Sequence, residues 1–125
     1  MLSVIEIVKF LRQEFPELSI NPLEIPLNAP AGACMVDVYA NTEAKAGMFP
    51  VTVQIKVRDE HPSLCEANSY KFKELLENKT NFNIGSVQVV LVKSQNPMPL
   101  SMGKDEKGRY LYSNNFRFVV NEGGI

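Results

Sequence analysis

Residues Val51 to Arg58 alternate strictly between apolar and polar side chains, and this pattern limits the possible folds more than any other feature. Valine or isoleucine stands at every second position, with Thr, Gln, Lys or Arg between. A period of two places the two sets on opposite faces of a β-strand, one buried and one solvated. Cys34–Tyr39 alternates in the same way. The sequence therefore predicts a sheet with one face packed on a core.

Two later segments are predicted to be strands of the same sheet. Val87–Lys93 is nearly continuous in apolar residues, which is typical of a central strand with both faces covered. Arg109–Val120 carries aromatic residues at alternating positions on one face. A short strand is also expected at Leu23–Leu27. Ser94–Gly108 is expected to be a long loop, because it contains two prolines, two glycines and a charged run.

Two amphipathic helices are predicted to complete the fold. The first spans about Ser3 to Phe15 and begins with the capping box formed by Ser3 and Glu6. The second begins near His61, because Pro62 suits the first helical position, and it ends near Asn78. The predicted inward stripe of the second helix is Leu64, Cys65, Asn68, Phe72, Leu75 and Leu76.

These elements predict an α+β fold. The expected order is α-β-β-α-β-β, with a mostly antiparallel sheet of about four strands and both helices packed on one face as a two-layer sandwich. A chain of 125 residues without an internal repeat or a boundary in composition is expected to form a single domain over residues 1–125.

Composition excludes several classes of function. The 13 basic and 14 acidic side chains give a net charge of −1, so a strongly basic surface for specific nucleic-acid binding is not expected. No purely apolar run exceeds four residues, so no membrane partner is expected. The amphipathic N-terminus does not resemble a secretory signal. Cys34 and Cys65 are predicted to be reduced core thiols, and neither a metal nor another cofactor is expected.

Two arrangements of polar residues suggest enzymatic alternatives. Asp37, Gln54 and Lys56 fall on the polar faces of two predicted strands, as in metal-dependent nucleases that pair an acidic strand with an amide or acid and a lysine two positions apart. The same alternation also describes an ordinary solvated face. His61 and Cys65 stand four residues apart, and there a helix cap and a buried cysteine are favoured over a catalytic pair.

Apolar residues also occur where a solvated loop does not need them. Met98, Leu100 and Met102 are interleaved with prolines, which suits either an adaptable contact surface or a loop that covers its own sheet. Tyr110 and Tyr112 are candidates both for the core and for a partner interface, where tyrosine is favoured.

Three motifs give the chain a family resemblance. They are V-R-D-x-H-P from Val57, L-x-N-K-T-N-F from Leu76, and N-P-x-P-L-x-x-G-K-D-E-x-G-R-Y from Asn96. Together, over roughly Val51 to Val120, the chain resembles the small minor capsid proteins of tailed bacteriophages and Gram-positive prophages, which are tail-completion or tail-terminator proteins. None of the three motifs is a catalytic signature.

The resemblance implies a structural role and no enzymatic activity. Proteins of this kind form a ring, commonly a hexamer, that stops polymerisation of the tail tube and offers a surface to the head connector. The implied partners are therefore other copies of the chain, the tail tube protein and head-connector proteins. The implied location is the virion, after assembly in the host bacterial cytoplasm. A cytosolic binding module of the same fold remains a further alternative.

A closed ring requires two different complementary patches on each subunit. The candidate patches are the Asn41–Phe49 hairpin and the Met98–Met102 loop, with pairing of strand edges as a third possibility. The candidate interface residues are Ala44, Met48, Phe49, Met98, Leu100, Met102, Tyr110 and Tyr112.

Overall fold

A computed structural model describes residues 2–40 and 48–121, and within these ranges the chain forms two helices and seven strands. In chain order the elements are α1 (Val4–Glu14), β1 (Ile20–Pro22), β2 (Ala33–Ala40), β3 (Met48–Asp59), α2 (Pro62–Leu76), β4 (Thr80–Ile84), β5 (Val87–Ser94), β6 (Leu100–Lys104) and β7 (Tyr110–Asn121).

The described strands form one sheet in the order β1-β2-β3-β7-β5-β4, and β6 pairs with β7. β1 and β2 are parallel, and every other pair is antiparallel. β3 and β7 pair along 12 residues each and form the centre of the sheet. β5 and β6 share the other edge of β7: β5 pairs with its second half, from Phe116, and β6 with its first half, up to Ser113.

The predicted two-layer sandwich of about four strands is wrong. The fold is dominated by a seven-stranded sheet that curls into a half-barrel, with two helices. The sequence analysis did not predict β4 and β6. It expected a strand at Leu23–Leu27, whereas the strand in this region, β1, lies immediately before that segment. These strands are three to five residues long and contain proline, glycine or several asparagines. Such short segments of low strand propensity become strands because neighbouring strands in the sheet offer them an edge.

The first helix begins as the sequence predicts. The Ser3 hydroxyl accepts a hydrogen bond from the backbone N–H of Glu6 at 3.1 Å, which satisfies one of the free donors of the first turn. Leu2 is buried beside the start of this helix, and Ile7, Val8 and Leu11 form its inner stripe.

The second helix begins with Pro62 after His61, as predicted, and Cys65, Phe72 and Leu76 of its predicted inner stripe are buried. Leu64, which was expected to be inside, is half exposed, whereas Ser69 is completely buried. The buried Ser69 hydroxyl donates to the Cys65 carbonyl one turn earlier at 2.8 Å, so it is satisfied within the helix. The Ser69 carbonyl in turn accepts a hydrogen bond from the side-chain amide of Asn114 in β7 at 3.0 Å. A polar contact therefore lies at the point where the helix crosses the sheet.

Both helices lie on the same face of the sheet and cover its apolar side chains. The ring of Phe15, which follows α1, meets the ring of Phe72 in α2 edge to face, with centroids 5.3 Å apart. Beneath them, Val53 of β3 stands opposite Phe116 of β7 in a closely packed layer in which both side chains are buried. Burial of this layer is the main stabilising contribution to the fold.

Candidate functional site

The predicted interface residues fall into two separate groups in the sheet. Met48 and Phe49 begin β3, at the end of the sheet where β3 pairs with the last residues of β7. The other group lies at the opposite end of β7, where β6 pairs with it. This second group consists of Met98, Leu100, Met102, Tyr110 and Tyr112. Ala44, with most of the predicted Asn41–Phe49 hairpin, lies outside the described residues.

β6 is exposed along its whole length. All five of its residues are exposed, and Leu100 and Met102 keep 42% and 54% of their surface in contact with solvent. Met98, just before the strand, is 55% exposed. Within the described residues β6 pairs only with β7, so its second edge has no neighbouring strand. Exposed edges and clustered apolar side chains are typical of interaction surfaces.

A tight turn holds β6 against β7. Asp105 follows the strand, and one of its carboxylate oxygens accepts hydrogen bonds from the backbone N–H groups of Lys107 and Arg109, both at 2.9 Å. The second oxygen accepts from the Arg109 guanidinium at 2.8 Å. These bonds, chiefly the one from the Arg109 backbone N–H, lower the pKa of the Asp105 carboxyl. The charged run of the sequence therefore builds the turn that presents the apolar strand.

Tyr110 and Tyr112 are half-buried and pack against the core. The ammonium group of Lys104 lies 4.9 Å from the centre of the Tyr110 ring, a distance suited to a cation–π contact. The Tyr112 hydroxyl donates to a carboxylate oxygen of Glu66 in α2 at 3.3 Å. Burial, followed by the charge of Glu66, raises the pKa of Tyr112. Both tyrosines lie on β7 directly beside β6, where they pack against the core and remain partly exposed.

The opposite edge of the sheet carries a second set of exposed apolar side chains, which the sequence analysis did not single out. Leu23 follows β1 and is 57% exposed, and Leu27 is fully exposed. Leu23 also has a backbone φ of +67°, a conformation that a branched residue rarely adopts. The available signal was the same as at Met98–Met102, namely leucines interleaved with Pro22 and Pro26.

The structure brings the residues of the nuclease alternative only partly together. Asp37 stands directly opposite Gln54 in the sheet, and Lys56 lies two positions further along β3. The Asp37 carboxylate accepts hydrogen bonds from the Val38 N–H at 2.9 Å and from the Tyr39 hydroxyl at 2.8 Å. Across residues 2–40 and 48–121, no group of three or more His, Cys, Asp or Glu side chains is placed to hold a metal ion. The arrangement therefore offers one carboxylate, already engaged by its neighbours.

The Cys65 thiol is unsuited to nucleophilic chemistry. It is completely buried and donates to the Val57 carbonyl at 3.3 Å. Burial raises its pKa to about 11, so the reactive thiolate is scarce at neutral pH. His61 is exposed at the start of α2, and its backbone N–H donates to the Asp59 carboxylate. Burial likewise raises the pKa of Cys34 to about 12.

Neither described helix has the length and apolar character needed to cross a membrane.

Comparison with known proteins identifies one family. The family described as bacteriophage tail terminator protein matches residues 31–122 of this chain. The match spans β2 to β7 and includes all three motifs that carried the resemblance. No curated protein matches the chain.

Proposed function

Because this chain belongs to the bacteriophage tail terminator family, we propose that it caps the tail tube of a phage or prophage particle and helps to join the tail to the head. Family membership makes the chain a structural component of the phage tail, and hence of the virion. We further propose that it assembles in the host bacterial cytoplasm. In this proposal, residues 1–125 form a single domain that acts as one subunit of a ring, commonly a hexamer.

The observation that carries the ring proposal is the exposure of apolar side chains on β6. Leu100 and Met102 lie on a strand, and Met98 just before it, and the outer edge of this strand is free within the described part of the sheet. A net charge of −1 also produces little long-range repulsion between copies. Both features favour close association between subunits. The other proposed partners, the tail tube protein and the head-connector proteins, would bind the two flat sides of the ring.

The remaining candidate interface residues have a separate place in this proposal. Met48 and Phe49 lie at the end of the sheet remote from β6, and Met48 is 39% exposed. We assign them, together with Ala44, to a second contact with a partner protein. Tyr110 and Tyr112 belong to the β6 side, where they support the exposed strand.

The test combines an assembly assay with a capping assay. Native mass spectrometry of the purified chain across a range of concentrations should give a closed oligomer. The same preparation, added to polymerising tail tube protein, should shorten the tubes and decorate one end in electron micrographs. The double substitution Leu100→Glu/Met102→Glu should abolish both effects. Leu64→Glu, at an equally exposed leucine on the helix layer, is the matched control and should retain both.

The opposite result would remove the proposal. A chain that remains monomeric at every concentration and leaves tube length unchanged does not act as a terminator ring. The nuclease alternative predicts magnesium-dependent cleavage of DNA that is lost in Lys56→Ala. That alternative has weaker support, because Asp37 supplies the only carboxylate of the three residues and already binds Tyr39.

A further inference from the structure

We propose that the ring is closed by a head-to-tail contact between the two opposite edges of the sheet. The β6 edge of one copy, with Met98, Leu100 and Met102, docks on the Leu23–Leu27 segment beside β1 of the next copy. This inference rests on the proposed ring and specifies which surfaces form it. The occupant of each edge is a second copy of this chain.

The two edges lie at the ends of a single row across the sheet. Asn21 of β1 stands beside Met35, which faces Lys56, which faces Ser113, which faces Leu100 of β6. Each subunit therefore carries the two patches at the same height and on opposite sides. Identical subunits with this arrangement can repeat side by side, and a constant rotation between them closes a ring.

The β1 edge cannot easily accept another strand. The Arg12 guanidinium donates to the Ile20 carbonyl at 2.9 Å. Pro22 has no N–H to donate, and its carbonyl accepts from the Glu24 N–H at 2.8 Å. With these groups already used or missing, the sheet does not continue through this edge by a hydrogen-bonded ladder. The contact must therefore depend on side chains, and the exposed apolar side chains at this edge are Leu23 and Leu27.

Leu23 has an unfavourable backbone conformation, and burial of its side chain within the subunit does not compensate for it. A branched side chain at a φ of +67° costs about 1–2 kcal/mol relative to ordinary backbone, yet more than half of this leucine faces solvent. Strained residues of this kind often mark functional surfaces. A neighbouring subunit that covers Leu23 and Leu27 would give the exposed leucines a role.

The charges at the two edges are complementary. Residues 15–32 contain Glu17 and Glu24 and no basic side chain. Glu17 pairs with Lys71 at 3.3 Å, whereas the Glu24 carboxylate makes no ion pair within the described residues and is exposed. On the other edge, β6 and the turn that follows it, residues 94–109, carry three basic and two acidic side chains, a net charge of +1 that includes Lys104.

These charges select one arrangement over another. A contact between two β6 edges would pair two surfaces of net positive charge, and a contact between two β1 edges would pair two surfaces of net negative charge. A contact between unlike edges instead pairs the acidic surface that carries Glu24 with the basic surface that carries Lys104. Unlike charges stabilise the register of an interface, and like charges oppose it. The head-to-tail arrangement is therefore the one that the surface favours.

The test uses two variants that each lose one edge. The first carries Leu100→Glu/Met102→Glu and retains the β1 edge, and the second carries Leu23→Glu/Leu27→Glu and retains the β6 edge. Each alone should be monomeric, with an association constant at least about 100-fold below that of the unsubstituted chain, because two apolar side chains leave the contact. Mixed together, they have one intact contact between them and should form a one-to-one dimer but no ring.

Controls separate a lost contact from a lost fold. All four substituted side chains are exposed, so the circular dichroism spectrum of each variant should match that of the unsubstituted chain. Their urea midpoints should agree when measured at a protein concentration too low for assembly, because assembly itself stabilises the unsubstituted chain. Leu64→Glu, outside both edges, should still form rings. Native mass spectrometry with one variant labelled with ¹⁵N identifies the composition of each dimer.

Each other result overturns the inference in a recognisable way. Rings that persist in both variants mean that other surfaces form the ring. Dimers of either variant alone mean that the contact joins two identical edges. A mixture of folded variants that stays monomeric means that the two edges do not bind each other. If the unsubstituted chain is itself monomeric, the proposed ring fails, and this inference fails with it for a different reason.

Discussion

The contact between Asn114 and α2 provides a sharp test of how the helix is held on the sheet. Asn114 lies on the helix-facing side of β7, is only 3% exposed, and donates from its side-chain amide to the Ser69 carbonyl at 3.0 Å. The substitution Asn114→Asp keeps the size of the side chain but replaces this donor by a carboxylate oxygen. At neutral pH, a negative charge would then face a carbonyl oxygen in a buried layer.

The size and pH dependence of the effect follow from the burial. Burial and the facing carbonyl raise the folded-state pKa of a carboxyl here, and a rise of about two units corresponds to about 2.7 kcal/mol. The folded-state pKa lies above the unfolded-state pKa near 3.9. The loss of stability caused by the charge is therefore absent below about pH 4. It grows as the pH rises to about 6 and is constant above that. The neutral acid can itself donate to the Ser69 carbonyl at low pH.

Urea unfolding at a series of pH values measures this directly. The difference in free energy of unfolding between the unsubstituted chain and Asn114→Asp should be small at about pH 3.5 and roughly 3 kcal/mol larger at pH 7. Asn114→Ala, which removes the donor without adding a charge, is the matched control, and its cost should not change with pH. A cost of Asn114→Asp that is the same at about pH 3.5 and pH 7 would refute the buried contact to Ser69.

Three further perturbations test separate parts of the structure. Gly32→Ala should cost about 1–2 kcal/mol, because the new Cβ would lie 2.6 Å from a carboxylate oxygen of buried Asp59. Combination with Asp59→Ala should be strongly non-additive in a double-mutant cycle. Glu77→Gln should cost about 1–2 kcal/mol at pH 7, because hydrogen bonding to Lys73 lowers the Glu77 pKa to about 2. The stabilisation by ionised Glu77 is complete above the unfolded-state pKa near 4.5 and is lost as the pH falls towards 2. The free energies of unfolding of the variant and the unsubstituted chain should therefore converge in acid. Leu23→Gly should change the stability of the monomer by less than about 1 kcal/mol, since relief of the backbone strain offsets the greater freedom of glycine when unfolded. A larger loss in urea titrations would show that Leu23 serves the fold and not a contact.

The elements that the sequence predicted are those whose pattern is complete within one segment. α1 carries its cap and its apolar stripe in 13 consecutive residues from Leu2, and the structure reproduces both. β3 alternates along most of its length, because one of its faces packs on the helices. In such segments the local preference and the tertiary position agree, which is why the periodicity of side chains was sufficient.

The missed elements depend on a neighbour that the local sequence does not specify. β6 is only five residues long, contains Gly103 at a φ of +83°, and includes an irregularity of register between Ser101 and Lys104. It is a strand because β7 offers it an edge. The predicted inward position of Leu64 failed for a related reason, since the angle at which α2 crosses the sheet decides which residues of its stripe are covered.

The same dependence on neighbours links the fold to the proposed assembly. β3 and β7 pair along 12 residues each, but β5 covers only the half of β7 that begins at Phe116. The first half of β7 would be an open edge without β6, which fills it with a short strand held by the Asp105 turn. Filling one edge creates another, displaced by one strand and carrying Leu100 and Met102. A fold that served only its own stability would place polar residues at that position, as edge strands of isolated proteins commonly do. The apolar side chains are therefore best explained by a neighbour that covers them in the assembled tail.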